Sequence, residues 1–342
     1  MQTMKKYIAA AIIVVFAFFA FQIFAQSPDS GALFSFRGVL FGILKEAENI
    51  VAQVASPFAG SKTAPAAEQT TSENSFSFAI IGDTQRFTFG NPNGNFQKAA
   101  AKIKAMDPAL VFAMGDLVSS CDGDSKCSAK YADWKKIMGT LLPKTYATQG
   151  NHDRTGDDKT DNTWRSSFTF PTNGPSGFSE QAYSFDFKNS HFVVLDSDKP
   201  KEHLVNGDQR VWLEKDLTAG KYENTFVFFH EPAYPVSSKI TESLDKEPGE
   251  RDALWQILKK YNVTAVFNGH EHIVSRRKIG SLYQFVFGST DAFNHGLPAK
   301  GVAEYSNQGQ GRFGIVRVNG KEITVETRDP SNKILNSFTF SK

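Results

Sequence analysis

An excess of charge of one sign is missing from this chain of 342 residues, in which 38 Lys and Arg stand against 36 Asp and Glu. The formal net charge is +2, and Lys5 and Lys6, which precede the first apolar run, account for that excess. A strongly basic surface is the usual electrostatic signature of nucleic-acid binding. The composition therefore indicates no nucleic-acid binding.

Cysteine is equally scarce, since only Cys121 and Cys127 are present. A zinc site built on them would need further ligands nearby, and none flanks the pair. In an oxidising compartment their spacing can close a small loop, and two free thiols are the alternative. Apolar residues make up 40% of the chain and charged residues 22%, ordinary values that exclude disordered and fibrous classes.

The N-terminus combines two lysines with an uncharged run from Tyr7 to Phe24. A basic region followed by an apolar region is the pattern of an export signal, so we expect a periplasmic or extracellular protein. Cleavage after Ala25 would release it. The run is also close to the lower limit of ~17 residues for a bilayer span, so residues 7–25 could instead tether the protein to a membrane.

Three regions follow from the changes of composition along the chain. Residues 1–25 are the signal peptide or anchor, and residues 26–74 contain a mildly amphipathic segment and a linker rich in Ser, Thr, Ala and Pro. Residues 75–342 form the remaining domain, where short apolar runs alternate with amphipathic stretches. That alternation predicts an α/β layered fold.

The apolar runs and the helical spacings give individual element predictions. The predicted strands are Phe76–Ile81, Leu110–Met114, Thr145–Thr148, Tyr183–Phe187, Phe192–Leu195, Thr225–Phe229, Val263–Phe267, Arg312–Val318 and Glu322–Thr327. The predicted helices cover Phe96–Met106, Tyr131–Leu141, Asp208–Leu217 and Arg251–Lys260. The Asn319-Gly320 pair between the last two strands indicates a hairpin.

Five polar clusters each follow a predicted strand directly. They are Gly82-Asp83-Thr84-Gln85, Gly115-Asp116, Gly150-Asn151-His152-Asp153, His230-Glu231 and Gly269-His270-Glu271-His272. Ligands of α/β sheets gather outside the carboxyl ends of strands, so five strand ends can direct side chains to one point. One cluster alone would mean little, because a Gly-Asp is most often a turn and a lone His most often structural.

The residue types in these clusters suit a pair of divalent metal ions. Carboxylate and amide oxygens favour hard ions, whereas imidazoles favour zinc, iron or nickel, so the mixed set predicts transition metals such as Mn, Fe or Zn. Two ions that share a hydroxide need a bridging carboxylate between them. Asp116 is the natural candidate for that bridge.

These motifs, in this order, resemble the calcineurin-like metallophosphoesterases, which show Asp-x-His, Gly-Asp, Gly-Asn-His-Asp/Glu, His and Gly-His-x-His. The resemblance extends from Phe76 to the C-terminus and implies a layered α/β-β/α sandwich. It implies that the first ion is held by Asp83, Gln85, Asp116 and His272, and the second by Asp116, Asn151, His230 and His270. The family's first-motif His is Gln85 here, a subgroup mark that supplies a weaker and harder ligand than imidazole.

The resemblance further implies a phosphoester hydrolase, a phosphatase or phosphodiesterase that uses a metal-bridging hydroxide on a phosphoester substrate. The N-terminal signal adds the expectation that this hydrolase is exported. Asn151 and His152 would face the substrate, and His152 would donate a proton to the leaving oxygen. Asp153 would orient His152, with a loop cap as the alternative. Arg86 could bind a phosphate oxygen, with a solvated surface charge as the alternative.

Two other functional classes are weighed against this one. A noncatalytic module could use the same fold to bind metal or a partner, with Gln85 marking decay of the site, although six of the seven expected ligands remain. A Ser-His-Asp esterase is disfavoured because no Gly-x-Ser-x-Gly turn occurs in the sequence.

Overall fold

The fold is taken from a computed structural model that describes residues 74–121, 124–154 and 158–342. These ranges belong to one compact unit, which extends from Thr70 to Lys342. The predicted export segment 1–25 and residues 26–73 of the predicted linker region lie outside the described residues. No helix in the described ranges is both long and apolar enough to cross a bilayer.

Thirteen strands and five α-helices make up the described part of the chain. In chain order they are β1 (Ser75–Ile81), α1 (Asn95–Met106), β2 (Leu110–Met114), α2 (Asp124–Met138), β3 (Thr145–Thr148), α3 (Asp158–Ser167), β4 (Tyr183–Phe187), β5 (Ser190–Val194), α4 (Gly207–Ala219), β6 (Asn224–Phe228), α5 (Pro248–Lys260), β7 (Ala265–Asn268), β8 (Val274–Ile279), β9 (Leu282–Phe287), β10 (Tyr305–Asn307), β11 (Phe313–Asn319), β12 (Glu322–Arg328) and β13 (Ile334–Ser341).

The strands form two mixed sheets. The first has the order β13-β12-β11-β1-β2-β3, in which β1, β2 and β3 run parallel and the other neighbours antiparallel. The second has the order β10-β8-β9-β7-β6-β5-β4, in which β5, β6, β7 and β9 run parallel. Parallel strands end on the same edge, so each sheet presents one edge where several strands terminate together.

Phenylalanine rings fill the space between the sheets. Phe112 of β2 stacks on Phe228 of β6 with ring centroids 3.9 Å apart. Phe78 of β1 meets Phe226 and Phe267 edge to face at 5.3 and 5.9 Å. Such aromatic pairs contribute roughly 0.5–1.5 kcal/mol each beyond their buried area. They hold the two sheets together as the inner layers of the sandwich.

Helices cover the outer faces of the sheets. Alternate residues of a strand point to opposite faces, so Phe228 enters the inner core while Val227 joins a second core with Leu213 of α4 and Leu254 of α5. Trp134 of α2 belongs to the core of the first sheet. Two mixed sheets with flanking helices therefore agree with the predicted α/β sandwich.

Several element predictions need correction. The predicted helix Tyr131–Leu141 ends at Met138, because Gly139 takes a φ of 51° and a 3-10 turn containing Pro143 follows. Helix α3 lies in a stretch where no helix was predicted. Strands β8, β9, β10 and β13 were not predicted. β8 reads Val-Ser-Arg-Arg-Lys-Ile, whose polar centre conceals a strand that is only half buried.

Candidate metal centre

The five polar clusters lie where the parallel strands end. Asp83, Asp116 and Asn151 follow β1, β2 and β3 of the first sheet, whereas His230 and the His270–His272 segment follow β6 and β7 of the second. Hydrogen bonds connect the loops across the sheets, since the backbone N–H of His270 donates to both carboxylate oxygens of Asp83 at 3.1 and 3.0 Å. All seven predicted metal ligands therefore lie on one shared edge of the sandwich.

Around Asp83 three predicted ligands approach one another. His272 Nε2 lies 3.3 Å from Asp83 Oδ1, and Gln85 Nε2 lies 3.2 Å from both His272 Nε2 and Asp116 Oδ2. The Asp83 side chain is fully buried, and this burial raises its pKa well above the usual range. A bound cation would compensate a carboxylate charge that the interior otherwise disfavours.

Asp116 lies between two groups of donors. Its Oδ2 faces Gln85, while its Oδ1 lies 3.4 Å from His230 Nε2 and accepts a hydrogen bond of 2.9 Å from the His152 backbone N–H. Asp83, Asp116 and His230 each offer one ligand atom within 4.8 Å of the others. The central position of Asp116 suits the bridging role that its sequence motif predicts.

Hydrogen bonds to carbonyl groups determine the tautomers of two histidines. His230 Nδ1 lies 2.6 Å from the Met114 carbonyl oxygen, and His270 Nε2 lies 2.7 Å from the Glu242 carbonyl oxygen. A carbonyl can only accept, so both of these nitrogens carry the proton. In the neutral form of each ring, His230 Nε2 and His270 Nδ1 would then be lone-pair acceptors that face each other, 3.3 Å apart.

The facing acceptors fit a cation. Asn151 Oδ1 lies 3.2 Å from His230 Nε2, so an amide oxygen joins the two lone pairs beside the Asp116 carboxylate. Burial lowers the pKa of His270 well below its usual range, which favours the neutral ring. Neutral imidazoles and ionised carboxylates are the states in which these groups bind metal.

Gln85, beside Asp116 and His272, carries a buried oxygen without a hydrogen-bond donor among the described residues. Its Oε1 is buried, and within the described ranges no group donates a hydrogen bond to it. A half-turn of the terminal amide exchanges Oε1 with Nε2 and turns the oxygen toward Asp116 and His272. The donor set at this position thus fits a divalent ion, with Gln85 as an oxygen ligand.

Four of the predicted ligands have an uncommon backbone conformation. Asp83, Asp116, His270 and His272 take φ values of 55°, 51°, 66° and 50°, in the left-handed region. Such residues cost about 1–3 kcal/mol each and persist where the surrounding structure enforces them. Gly150 permits Asp116 to approach the β3 loop closely, because a Cβ at position 150 would lie 2.5 Å from Asp116 Oδ1.

Asp153 is bound to backbone groups. Its carboxylate accepts hydrogen bonds from the N–H groups of Leu117, Val118 and Gly150 at 3.1 to 3.3 Å, and Tyr131 Oη lies 3.3 Å from its Oδ1. These contacts tie the Asp116 loop to the Asn151 loop. They support the loop-cap alternative and leave the orientation of the His152 ring to other groups.

The predicted substrate-facing residues lie at the mouth of the site. The His152 side chain is 42% exposed, with Nε2 4.0 Å from Asp116 Oδ2. Arg86 is exposed, and its guanidinium carbon lies 3.4 Å from the centre of the Phe293 ring. A cavity of about 580 Å³ adjoins Asn151 and is lined further by Arg154, Asp198, Pro200, Lys201, Glu202, His203, Lys246 and Glu247.

Sequence reasoning missed two groups that contact the ligands. The ring of His295 stacks on His272 with centroids 4.2 Å apart, and burial, His272 and Lys239 together lower the pKa of His295 to about 4. The second is the Glu242 carbonyl that orients His270. No sequence motif surrounds His295, and a backbone carbonyl leaves no trace in residue identity.

Comparison with known proteins identifies the family. The sequence model of the calcineurin-like phosphoesterase family matches residues 76–274, which are more than half of the chain. The chain therefore belongs to the calcineurin-like phosphoesterase family, which confirms the resemblance seen in the motifs.

Individual relatives match over shorter stretches or at lower identity. Purple acid phosphatase 15 of Arabidopsis thaliana is 30% identical over 154 residues, which are 42% of this chain and 27% of that protein. Purple acid phosphatase 13 of the same plant is 30% identical over 40% of this chain and 26% of its own length. The chain thus spans about a quarter of the length of these curated relatives.

Solved structures share the fold. The purple acid phosphatase PPD1 of yellow lupin seeds superposes with a TM-score of 0.63 at 17% identity, covering 78% of this chain and 54% of that chain. A dimetal phosphatase of Danio rerio gives 0.56 at 13% identity over 78% of this chain and 99% of its own. GAP50, the anchor in the inner membrane complex of Plasmodium, superposes with a TM-score of 0.55 at 14% identity. The match covers 78% of this chain and 89% of that chain.

Replacement of Asp153 by Ala tests its role as a loop anchor. The change leaves three buried N–H groups without an acceptor, so we expect the free energy of unfolding to fall by roughly 3 kcal/mol or more. Chemical denaturation measures it. The control D133A removes a carboxylate that is 34% exposed and paired with Lys136, and it should change stability by about 0.5 kcal/mol or less. Unchanged stability in D153A would contradict the anchoring role.

Proposed function

We propose that residues 75–342 form a metal-dependent phosphoester hydrolase that binds two divalent ions, of Mn, Fe or Zn. The observation that carries the proposal is a cluster of possible metal-binding atoms around His230 Nε2. This nitrogen lies 3.2 to 3.4 Å from Asn151 Oδ1, His270 Nδ1 and Asp116 Oδ1. Acceptors at such distances repel one another unless a proton or a cation lies between them. The family membership supports a metal as that cation.

The geometry supports a division of the ligands between two ions. Asp83, Gln85, Asp116 and His272 would hold one ion, and Asp116, Asn151, His230 and His270 the other. Ions bound in this way supply Lewis acidity toward a phosphoryl oxygen and lower the pKa of water to near neutrality. The Met114 and Glu242 carbonyls would keep the two imidazoles in the ligating tautomer.

His152 is the proposed proton donor. Its backbone is fixed by the N–H bond to Asp116, while its half-exposed ring reaches the mouth of the site. From there the ring can donate a proton to the departing oxygen of a phosphoester, a step that typically contributes roughly 10²–10⁴-fold to the rate. The substrate is proposed to be a phosphoester, in keeping with the names of the acid phosphatase relatives.

A metal-reconstitution assay tests the proposed activity. The purified full-length protein is stripped with a chelator, reloaded with Mn²⁺, Zn²⁺ or Fe²⁺, and given an aryl phosphate or an aryl phosphodiester. We expect hydrolysis of at least one ester that disappears with the chelator and returns with metal. Metal binding without turnover of either ester would instead favour the noncatalytic binding module that uses the same fold.

Substitutions in the Asn151-His152 motif separate ligand from proton donor. N151A and H270A remove proposed ligand atoms and should lose bound metal and activity together. H152A should retain the metal content of the wild type and lose rate by roughly 10²–10⁴-fold, because only proton donation is removed. Elemental analysis of each purified variant, with D133A as control, measures the difference. An H152A protein without metal would contradict the assigned role.

We also propose that the protein is exported, either released after Ala25 or tethered through residues 7–25. The Cys121–Cys127 disulfide of the structure supports an oxidising compartment. Fractionation of cells that express the whole chain should recover it outside the cytoplasm or in the membrane fraction. Recovery of the full-length chain in the cytosol would contradict export.

A further inference from the structure

Exposed apolar side chains occur on two segments that contact the proposed metal centre. Phe293 is 59% exposed, and Leu297 on the same loop is 49% exposed. Ile240, which is 51% exposed, lies on the segment whose Glu242 carbonyl orients His270. Large apolar groups left in water cost free energy, and their concentration beside a site commonly marks a binding surface. Part of the mouth of this polar site therefore carries exposed apolar side chains.

Phe293 is connected to the ligands from two directions. Two residues further along its loop, the His295 ring stacks on His272 at 4.2 Å. On the other side, Arg86 directly follows Gln85, and its guanidinium carbon lies 3.4 Å from the Phe293 ring centre. The Arg86–Phe293 pair is thus linked to two proposed ligands of the same ion. Arg86 is the sequence neighbour of Gln85, and the loop of Phe293 contacts His272 through His295.

The loop that carries Phe293 is held in place by side-chain hydrogen bonds. Gln310 Nε2 donates to the Ala292 carbonyl at 3.0 Å, and the Gly309 N–H donates to Asn294 Oδ1 at 2.9 Å. Asn95 of α1 donates to Gln310 Oε1 at 3.0 Å and so secures the support. A ring held in this way loses little conformational freedom when a ligand stacks on it.

We propose that Arg86 and Phe293 form a stacking site for a planar aromatic leaving group of the phosphoester. The inference rests on the proposed function and specifies its substrate class. A guanidinium plane and a phenyl ring both stack on flat π systems, whereas an aliphatic chain gains only from apolar area. In this arrangement the phosphoryl group lies among the metal ligands and the aromatic group lies on the rim.

The test compares two phosphonates that cannot be hydrolysed at their carbon–phosphorus bond. Isothermal titration calorimetry of the Mn²⁺-loaded full-length protein gives the Kd of phenylphosphonate and of methylphosphonate, whose phosphoryl groups match. We expect the wild type to bind the phenyl compound more tightly by roughly three- to tenfold, the range of an aromatic pair. Leaving-group acidity does not enter, because no bond is broken.

Two variants and a control test which residues produce the preference for the phenyl compound. F293L keeps an apolar side chain without a ring and should abolish most of the phenyl preference, while the Kd of methylphosphonate stays within about twofold. R86K keeps the charge but loses the planar stacking group, so the preference should fall there as well. F89L is the matched control, because Phe89 is similarly exposed, at 48%, but contacts Lys136 on α2. It should keep the wild-type preference.

The outcomes separate this inference from the proposed function. Equal affinity of the wild type for both phosphonates, or an F293L protein that keeps the phenyl preference, would overturn the aromatic stacking site even if phosphoesters are hydrolysed. A phenyl preference lost in F293L and R86K would support the site even in a protein that hydrolyses neither ester. Thermal melting of each variant confirms that the exposed substitutions leave the protein folded.

Discussion

Hydrogen bonds between loops of different sheets determine where the ligands lie. His230 follows a strand of the second sheet and donates to the Met114 carbonyl at the end of β2 in the first. In the other direction, the His270 N–H donates to Asp83 at the end of β1. Each bond uses a ligand residue as a structural link. Consequently, the groups proposed to bind a cation and the contacts that join the two edges belong to the same residues.

This dual use explains the strained backbone at the ligands. Asp83, Asp116, His270 and His272 all adopt positive φ values without being glycine. In that conformation the chain turns sharply just after the end of the strand. The buried phenylalanine core stabilises the two sheets and so offsets the free energy of this strain.

Much of this arrangement could be predicted from residue order. A strand buried on both faces, such as β2, reads as a continuous apolar run, and β6 ends in one after Asn224 and Thr225. The polar residues that follow these runs mark the shared edge. The edge strand β13 was missed because its side chains alternate between exposed and half buried, so it lacks such a run. Helix α3 was missed because its Thr, Asn, Asp and Ser residues resemble a loop.

Prediction of the site was limited by what a side chain alone can show. Asp83 and His272 were recognisable by type and position, but the Met114 and Glu242 carbonyls that set the imidazole tautomers were not, because every residue carries a carbonyl. The two readings of Asp153 could not be separated either. Its neighbours in sequence suggested the adjacent His152, whereas the bonds that it makes depend on how the β2 and β3 loops meet.

The proposed ligand set has the same total charge with Gln85 as it would have with the family's first-motif His. Both groups are neutral, so the set keeps the two negative charges of Asp83 and Asp116 whichever is present. Two divalent ions and these ligands would then carry a net charge of about +2 before a bridging hydroxide is counted, and the positive charge that remains attracts a phosphoester anion. The exchange changes ligand hardness, and hence the metal preferred beside Asp83, without weakening that attraction. Gln85 is therefore compatible with a working centre.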